Sequence, residues 1–199
     1  MGNIKAVETV YKGYRFRSRL EARWAIFFDT LGLKWEYEVD GYDLGKLGWY
    51  LPDFRVYGLL DSPIWFEIKP IRPTNIELAK LGALGDIVQQ KYAFLVGTPY
   101  AHPNSYGGFE YSDYAILFND MSEGLDGITY DGYAIFVQCR RCENIGFEDA
   151  HFHCDTGYPY TTYGLSGICC SENCGYAAST KLVNAYNKAM SARFEHGEC

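Results

Sequence analysis

Residues 49–70, WYLPDFRVYGLLDSPIWFEIKP, constrain the fold more than any other part of the 199-residue chain. Tyr50, Phe54 and Val56, then Ile64, Trp65, Phe66 and Ile68, are aromatic and branched residues suited to pleated backbone, and Gly58 with Asp61-Ser62-Pro63 marks a turn between the two runs. A hairpin is the simplest reading. The second run is apolar on both faces, the pattern of a central strand, yet Glu67 and Lys69 interrupt it. Side chains two apart on a strand share a face, so Glu67 and Lys69 project together, and a paired strand brings Asp53 alongside them. Adjacent carboxylates create a charge surplus that calls for a cation, and hard oxygen donors suit Mg²⁺ or Mn²⁺. The lysine is then placed to hold a phosphate oxygen or the attacking water. The ordinary alternative makes Asp53 a turn acid and Glu67 with Lys69 the solvated face of an edge strand.

The flanking segments supply the rest of an α/β core. Residues 18–31, SRLEARWAIFFDTL, place Leu20, Trp24, Phe27, Phe28 and Leu31 at helical spacing, with Gly32 as the stop. Glu21 falls on the border of that apolar stripe, facing partly inward. Residues 35–39 alternate as a strand, with Asp40-Gly41 as a turn and residues 42–44 beyond it. Glu38 is a candidate extra acid near the site, although alternation favours a solvent-facing position. Pro70 and Pro73 end the strand that carries Lys69, and Thr74 or Asn75 caps a helix running through Leu78, Leu81, Leu84, Ile87 and Val88. Residues 92–96, YAFLV, read as a short buried strand. The expected order is α, β, β, β, α, β.

At these residues a family resemblance becomes visible. Pro52-Asp53, the spacer and then Glu67-x-Lys69 resemble the PD-(D/E)xK signature of restriction-endonuclease-like nucleases, and the element order resembles their αβββαβ mixed-sheet core across about the first half of the chain. The resemblance implies a Mg²⁺- or Mn²⁺-dependent deoxyribonuclease in which Asp53 and Glu67 bind the metal and Lys69 assists the nucleophile or the transition state. The segment FRSRLEARW looks much like the first core helix of phage-type members, which implies that Glu21 supplements the metal ligands. A competing use exists for that carboxylate, because Ser18-x-x-Glu21 is also a capping box. Size and resemblance together suggest a phage replication or recombination endonuclease, with branched or junction DNA as a candidate substrate. The rival reading is a non-catalytic DNA-binding or protein-interaction module on a nuclease-like fold. RNA as substrate, or a catalytic metal in the cysteine-rich region, is a further alternative.

Charge is unevenly distributed. The net charge is −7, yet residues 1–30 carry six basic and three acidic side chains while residues 100–160 carry two basic and ten acidic ones. Any basic face therefore lies near the N-terminus, where Arg15, Arg17, Arg19 and Arg23 interleave with aromatic residues and suit phosphate contacts on DNA; a solvated helix entry is the plainer reading. No apolar run is long enough to span a bilayer, and MGNIKAVETV lacks the apolar block of a signal peptide. The expected setting is cytoplasmic, in the host cell if the protein is phage-encoded, with no membrane partner.

The second half differs in composition. Residues 98–112 read as a loop containing a surface His102, and residues 114–118 and 133–138 as strands that extend the sheet. All seven cysteines follow residue 138. In a cytosolic chain clustered cysteines at CxxC spacing favour zinc over disulfides. Cys139 and Cys142 form the first pair and Cys170-x3-Cys174 the preferred second, with Cys169-x4-Cys174 or a pair including His153 or Cys154 as alternatives. Four thiolates would leave no open position, so the zinc is expected to be structural. The organisation expected is a nuclease core over 1–138, a zinc-ribbon-like insertion over 139–176, and a C-terminal helix over 177–199. The apolar stripe of that helix suits packing on the core or on a second subunit of a homodimer.

Overall fold

A computed structural model describes residues 6–59, 62–103, 109–111, 114–118, 133–139, 142–152, 159–160, 175–176 and 179–194. The fold is mixed α/β. A hairpin of β1 (Thr9–Tyr11) and β2 (Tyr14–Phe16) leads into α1 (Arg19–Leu31). Ser18 caps α1 by accepting the Glu21 N–H, and Gly32 closes it in the left-handed conformation that glycine adopts without strain. Next come β3 (Lys34–Tyr37), a small hairpin of β4 (Tyr42–Asp43) and β5 (Trp49–Tyr50), then β6 (Phe54–Tyr57) and β7 (Ile64–Lys69). After α2 (Asn75–Val88) the chain returns as β8 (Tyr92–Val96). β3, β6 and β7 pair antiparallel, and the helical crossover through α2 makes β8 parallel to β7.

The sheet continues beyond this core. β11 (Tyr114–Phe118), β12 (Tyr133–Cys139), β13 (Ile145–Phe152) and β14 (Pro159–Tyr160) follow outward from β8, and β15 (Gly175–Tyr176) pairs with β12. Part of the 139–176 span thus belongs to the main sheet, and Ile145 and Phe147 lie in the same core as α1. Residues 98–112, expected as a loop, hold a short hairpin of β9 (Ala101–Pro103) and β10 (Phe109–Tyr111). Their two prolines and two glycines masked two three-residue strands too short to show an alternation.

The alternation of β7 assigns its two faces. Ile64, Phe66 and Ile68 join the larger core with Trp24, Phe27 and Phe28 of α1, while Trp65 faces α2 with Leu78, Leu81, Leu84 and Phe94. α3 (Thr180–Ser191) packs beside α1, its Tyr186 ring 4.5 Å from that of Phe27. The terminal stripe is therefore spent inside the chain, with Leu182, Ala185, Tyr186 and Ala189 buried. No helix among the described residues is long and apolar enough to cross a membrane.

On the other face, α2 approaches β8 closely at Gly85, where an added Cβ would stand 1.8 Å from Cε1 of Tyr92. Gly85→Ala is expected to cost about 1–3 kcal/mol by overpacking, against a gain of about 1 kcal/mol in helix propensity. Urea denaturation measures the balance; a midpoint at or above wild type would show that helix and ring do not meet there.

Candidate active site

β6 and β7 build the centre of the site. Their register pairs Phe54 with Phe66, so one step earlier Asp53 stands across from Glu67. Both carboxylates are withdrawn from solvent, Asp53 at 2% and Glu67 at 6% exposure. Asp53 Oδ2 accepts the Ile68 N–H at 2.7 Å, tying the acid to the strand that carries Glu67 and Lys69. Lys69 Nζ lies 3.0 Å from Glu67 Oε1, on the same strand face. The hairpin read from residues 49–70 therefore brings Asp53, Glu67 and Lys69 together.

Glu21 enters from the first turn of α1 and is 7% exposed. Its Oε2 accepts the Tyr37 hydroxyl at 2.5 Å and the Arg17 N–H at 3.1 Å, and its Oε1 accepts the Ser18 hydroxyl at 2.7 Å. The backbone N–H that the carboxylate takes belongs to Arg17, one residue before the cap. Glu21 thus fastens β3 and the chain entering the helix, while its charge acts on Asp53.

Four further residues complete the cluster. Tyr50 donates its hydroxyl to Glu67 Oε2 at 2.9 Å, and Tyr37 braces Glu21 as described. Glu77 receives Lys69 Nζ at 3.0 Å on Oε1 while its Oε2 accepts the Thr74 N–H at 2.8 Å in a complete capping box. Glu38 joins them as the extra acid rather than taking the solvent-facing position that alternation favours: it is 23% exposed and pairs with Arg17 Nε at 2.6 Å. Strand alternation fails there because β3 ends at Tyr37 and Glu38 adopts a left-handed backbone with φ of 48°.

The four arginines separate. Arg17 is the one that reaches the acids, its Nη2 bonded to Asp53 Oδ1. Arg15 is exposed and faces Glu8 at 3.8 Å. Arg19 and Arg23 lie half-buried on α1. Gln90 accepts the Trp65 indole N–H at 2.8 Å, at the opposite end of β7 from Lys69.

The cysteine cluster is described in part. Cys139 is buried at the end of β12, and the Cys142 N–H points to its sulfur at 3.4 Å, the turn geometry that steadies a thiolate. Cys170, Cys174 and the alternatives Cys169, Cys154 and His153 lie outside the described residues.

Comparison of the chain with protein-family models, with curated proteins and with solved structures finds no match. The site is therefore judged on its own chemistry. Among the described residues no three His, Cys, Asp or Glu side chains stand together as a formed metal shell. The acids are turned onto Arg17, Lys69, Tyr37 and Tyr50 instead. The donor set nonetheless suits a hard divalent ion, since among the described residues Glu21, Glu38, Asp53, Glu67 and Glu77 face the cations Arg17 and Lys69, a formal surplus of three negative charges.

The protonation states follow from this imbalance. Burial, then the neighbouring charges of Glu67 and Glu21, holds the Asp53 carboxyl well above its ordinary value, outweighing the Ile68 N–H and Arg17. Burial opposes the charge on Lys69, but Glu67 and Glu77 more than offset it, and its pKa is raised. Burial likewise pushes Glu77 up, yet its bonds from Thr74 and Lys69 prevail and bring it down to about 2. Lys69 is thus a fixed cation.

An acid whose folded pKa is raised makes the folded chain bind more protons than the unfolded chain between about pH 4 and that raised value, so stability falls as pH rises through the window. Asp53→Asn is expected to raise the metal-free Tm at neutral pH by about 3 °C, the equivalent of about 1 kcal/mol for a domain of this size. The advantage disappears near pH 4. Thermal melts at both pH values measure it, and a lower Tm at neutral pH would mean that the Arg17 pair outweighs the cost of burial.

Proposed function

We propose that the chain is a metal-dependent deoxyribonuclease of the PD-(D/E)xK type. The observation that carries the reading is the convergence of Asp53, Glu67 and Lys69 on paired strands, with Glu21 brought in by α1. The run α1, β3, β6, β7, α2, β8, interrupted by the β4–β5 hairpin, supports it, since its order is like the αβββαβ arrangement of the restriction-endonuclease-like core. Asp53 and Glu67, supplemented by Glu21, would hold Mg²⁺ or Mn²⁺. A bound divalent ion supplies Lewis-acid stabilisation of charge on the phosphoryl oxygens and acidifies water near the scissile bond.

The residues of the chain divide the remaining work. Lys69, held protonated between Glu67 and Glu77, donates hydrogen bonds to the developing charge on phosphorus rather than accepting a proton from water. Tyr50 fixes the Glu67 carboxylate, and Tyr37 fixes Glu21. Arg15, Arg17, Arg19 and Arg23 are the proposed contacts to the DNA backbone, and branched or junction DNA in phage replication or recombination is the proposed setting. Cys139, Cys142, Cys170 and Cys174 are the proposed structural zinc ligands.

The closure of the acids on internal cations favours a second reading, a non-catalytic DNA-binding module on the same fold. One experiment separates them: Mg²⁺- or Mn²⁺-dependent cleavage of labelled linear duplex, single strand, flap, four-way junction and RNA. Cleavage of a DNA substrate supports the nuclease; binding without cleavage in either metal leaves the module, and cleavage of RNA alone changes the substrate class.

A further inference from the structure

Arg17 holds a carboxylate oxygen of Asp53, the acid proposed above as a metal ligand. Asp53 offers two carboxylate oxygens. Oδ2 is committed to the Ile68 N–H, a main-chain donor within β7 that cannot leave without breaking the strand. Oδ1 is taken by the Arg17 guanidinium, which also reaches Glu38 through Nε. Of the two partners of Asp53, the guanidinium alone can depart with no change in backbone.

The anchoring of Arg17 fits such a departure. Its main-chain N–H donates to both Glu21 Oε2, at 3.1 Å, and the Tyr37 hydroxyl oxygen, at 3.2 Å, so the residue's position on the chain is held from two sides. Its side chain, by contrast, is 55% exposed. A fixed root with a solvent-reaching head describes a group that can exchange one anionic partner for another. Phosphate is the natural second partner of a guanidinium, which matches its oxygens with paired donors.

Resting on the nuclease reading, we infer that Arg17 is an exchangeable counter-cation: it neutralises Asp53 in the metal-free protein, competes with the divalent ion for Oδ1, and on displacement becomes a ligand for the DNA phosphate. Metal and DNA then favour one another through a single side chain. Without metal, the guanidinium is engaged by Asp53 and Glu38 and the site repels a phosphate; with metal, two of the three surplus charges are cancelled and a cation is released at the rim. The coupling is reciprocal, as any binding linkage must be.

The test is Mn²⁺ binding to the whole protein, without DNA, by titration calorimetry. Arg17→Ala is expected to bind Mn²⁺ about tenfold more tightly than wild type, within the range typical of coupled sites. Lys188→Ala removes the same charge from an exposed position on α3, and is expected to stay within about twofold. Arg17→Gln keeps length and hydrogen bonding without the charge, guards against a folding defect in the alanine variant, and should shift in the same direction. In Ca²⁺, which suits oxygen ligands, wild type should gain more affinity for duplex DNA from the metal than Arg17→Ala does. Equal or weaker Mn²⁺ binding by both folded Arg17 variants overturns the inference while leaving the nuclease reading in place, as does an equal gain in Lys188→Ala. Absence of Mn²⁺ binding in wild type and variants alike overturns the metal site itself, and the exchange with it.

Discussion

Lys69→Met is expected to lower Mg²⁺-dependent cleavage of the preferred DNA substrate by about 10³-fold while leaving the fold intact. The side chain is close to isosteric along its stem and loses only the ammonium, which lies 3.0 Å from both Glu67 and Glu77. In the proposed mechanism its charge faces the phosphoryl oxygens on which negative charge develops, and interactions strengthened in the transition state affect kcat more than KM. Asp53→Asn should fall at least as far, because it removes a proposed metal ligand, yet its metal-free Tm should rise. Lost cleavage with raised stability is a combination that misfolding does not produce. Glu77→Gln removes one of the two carboxylates that position Lys69 and should cost less, about tenfold. Single-turnover cleavage measures all three. Wild-type rates in Lys69→Met would remove the lysine from the mechanism, and retained activity in Asp53→Asn would remove the metal site proposed on it.

The second large effect concerns stability. Trp24→Ala is expected to cost about 3–5 kcal/mol, the range for deleting a large aromatic side chain from a core. Trp24 is fully buried on α1, with its ring against Phe27, Phe28 and Phe136, and its indole N–H donates to the Gly97 carbonyl at 3.0 Å. It therefore joins the first helix to the end of β8 and to β12, elements far apart in the chain. Domains of this kind are stable by only about 5–15 kcal/mol. The loss would bring the variant near the edge of folding. Trp24→Phe keeps most of the packing but leaves the Gly97 carbonyl without its donor, and should cost about 1–3 kcal/mol. Urea denaturation of both variants measures the difference. Similar midpoints for Trp24→Ala and wild type would show that α1 does not hold the two parts of the sheet together.

Much of this architecture was legible because its signals are local. The capped helix with its apolar stripe, the two runs between residues 49 and 70, the Thr74 cap and the YAFLV strand each carry their pattern within a few residues. All four are found as α1, β6 with β7, α2 and β8. The hairpin of β1 and β2 was not anticipated: its strands are three residues each, and the turn at Lys12-Gly13 was read within a basic, aromatic segment rather than as two positive-φ residues. The extension of the sheet by β13 was obscured by the cysteines that precede it, although Phe147 packs 4.8 Å from Phe136 within the main core.

The candidate site divides the same way. Asp53, Glu67 and Lys69 could be named from the sequence because a strand repeats every second residue and one hairpin supplies all three. Helical period put Glu21 on the border of the apolar stripe, and the resemblance of FRSRLEARW to a nuclease helix implied its place among the acids. The roles of Tyr37, Tyr50, Glu38, Glu77 and Arg17 carry no such period. Tyr50 is one of 18 tyrosines, and only the packing of β5 beside β7 selects it as the partner of Glu67. Glu38 could be named only as one of two alternatives, because one left-handed residue at the end of β3 reverses the direction that alternation favours. The sequence alone brought Glu21, Asp53, Glu67 and Lys69 together as candidates, since periodicity acts along the chain. Tertiary structure decided how their charges are balanced, because Arg17, Glu38 and Asp53 are separated along the chain and electrostatic balance depends on distance through space.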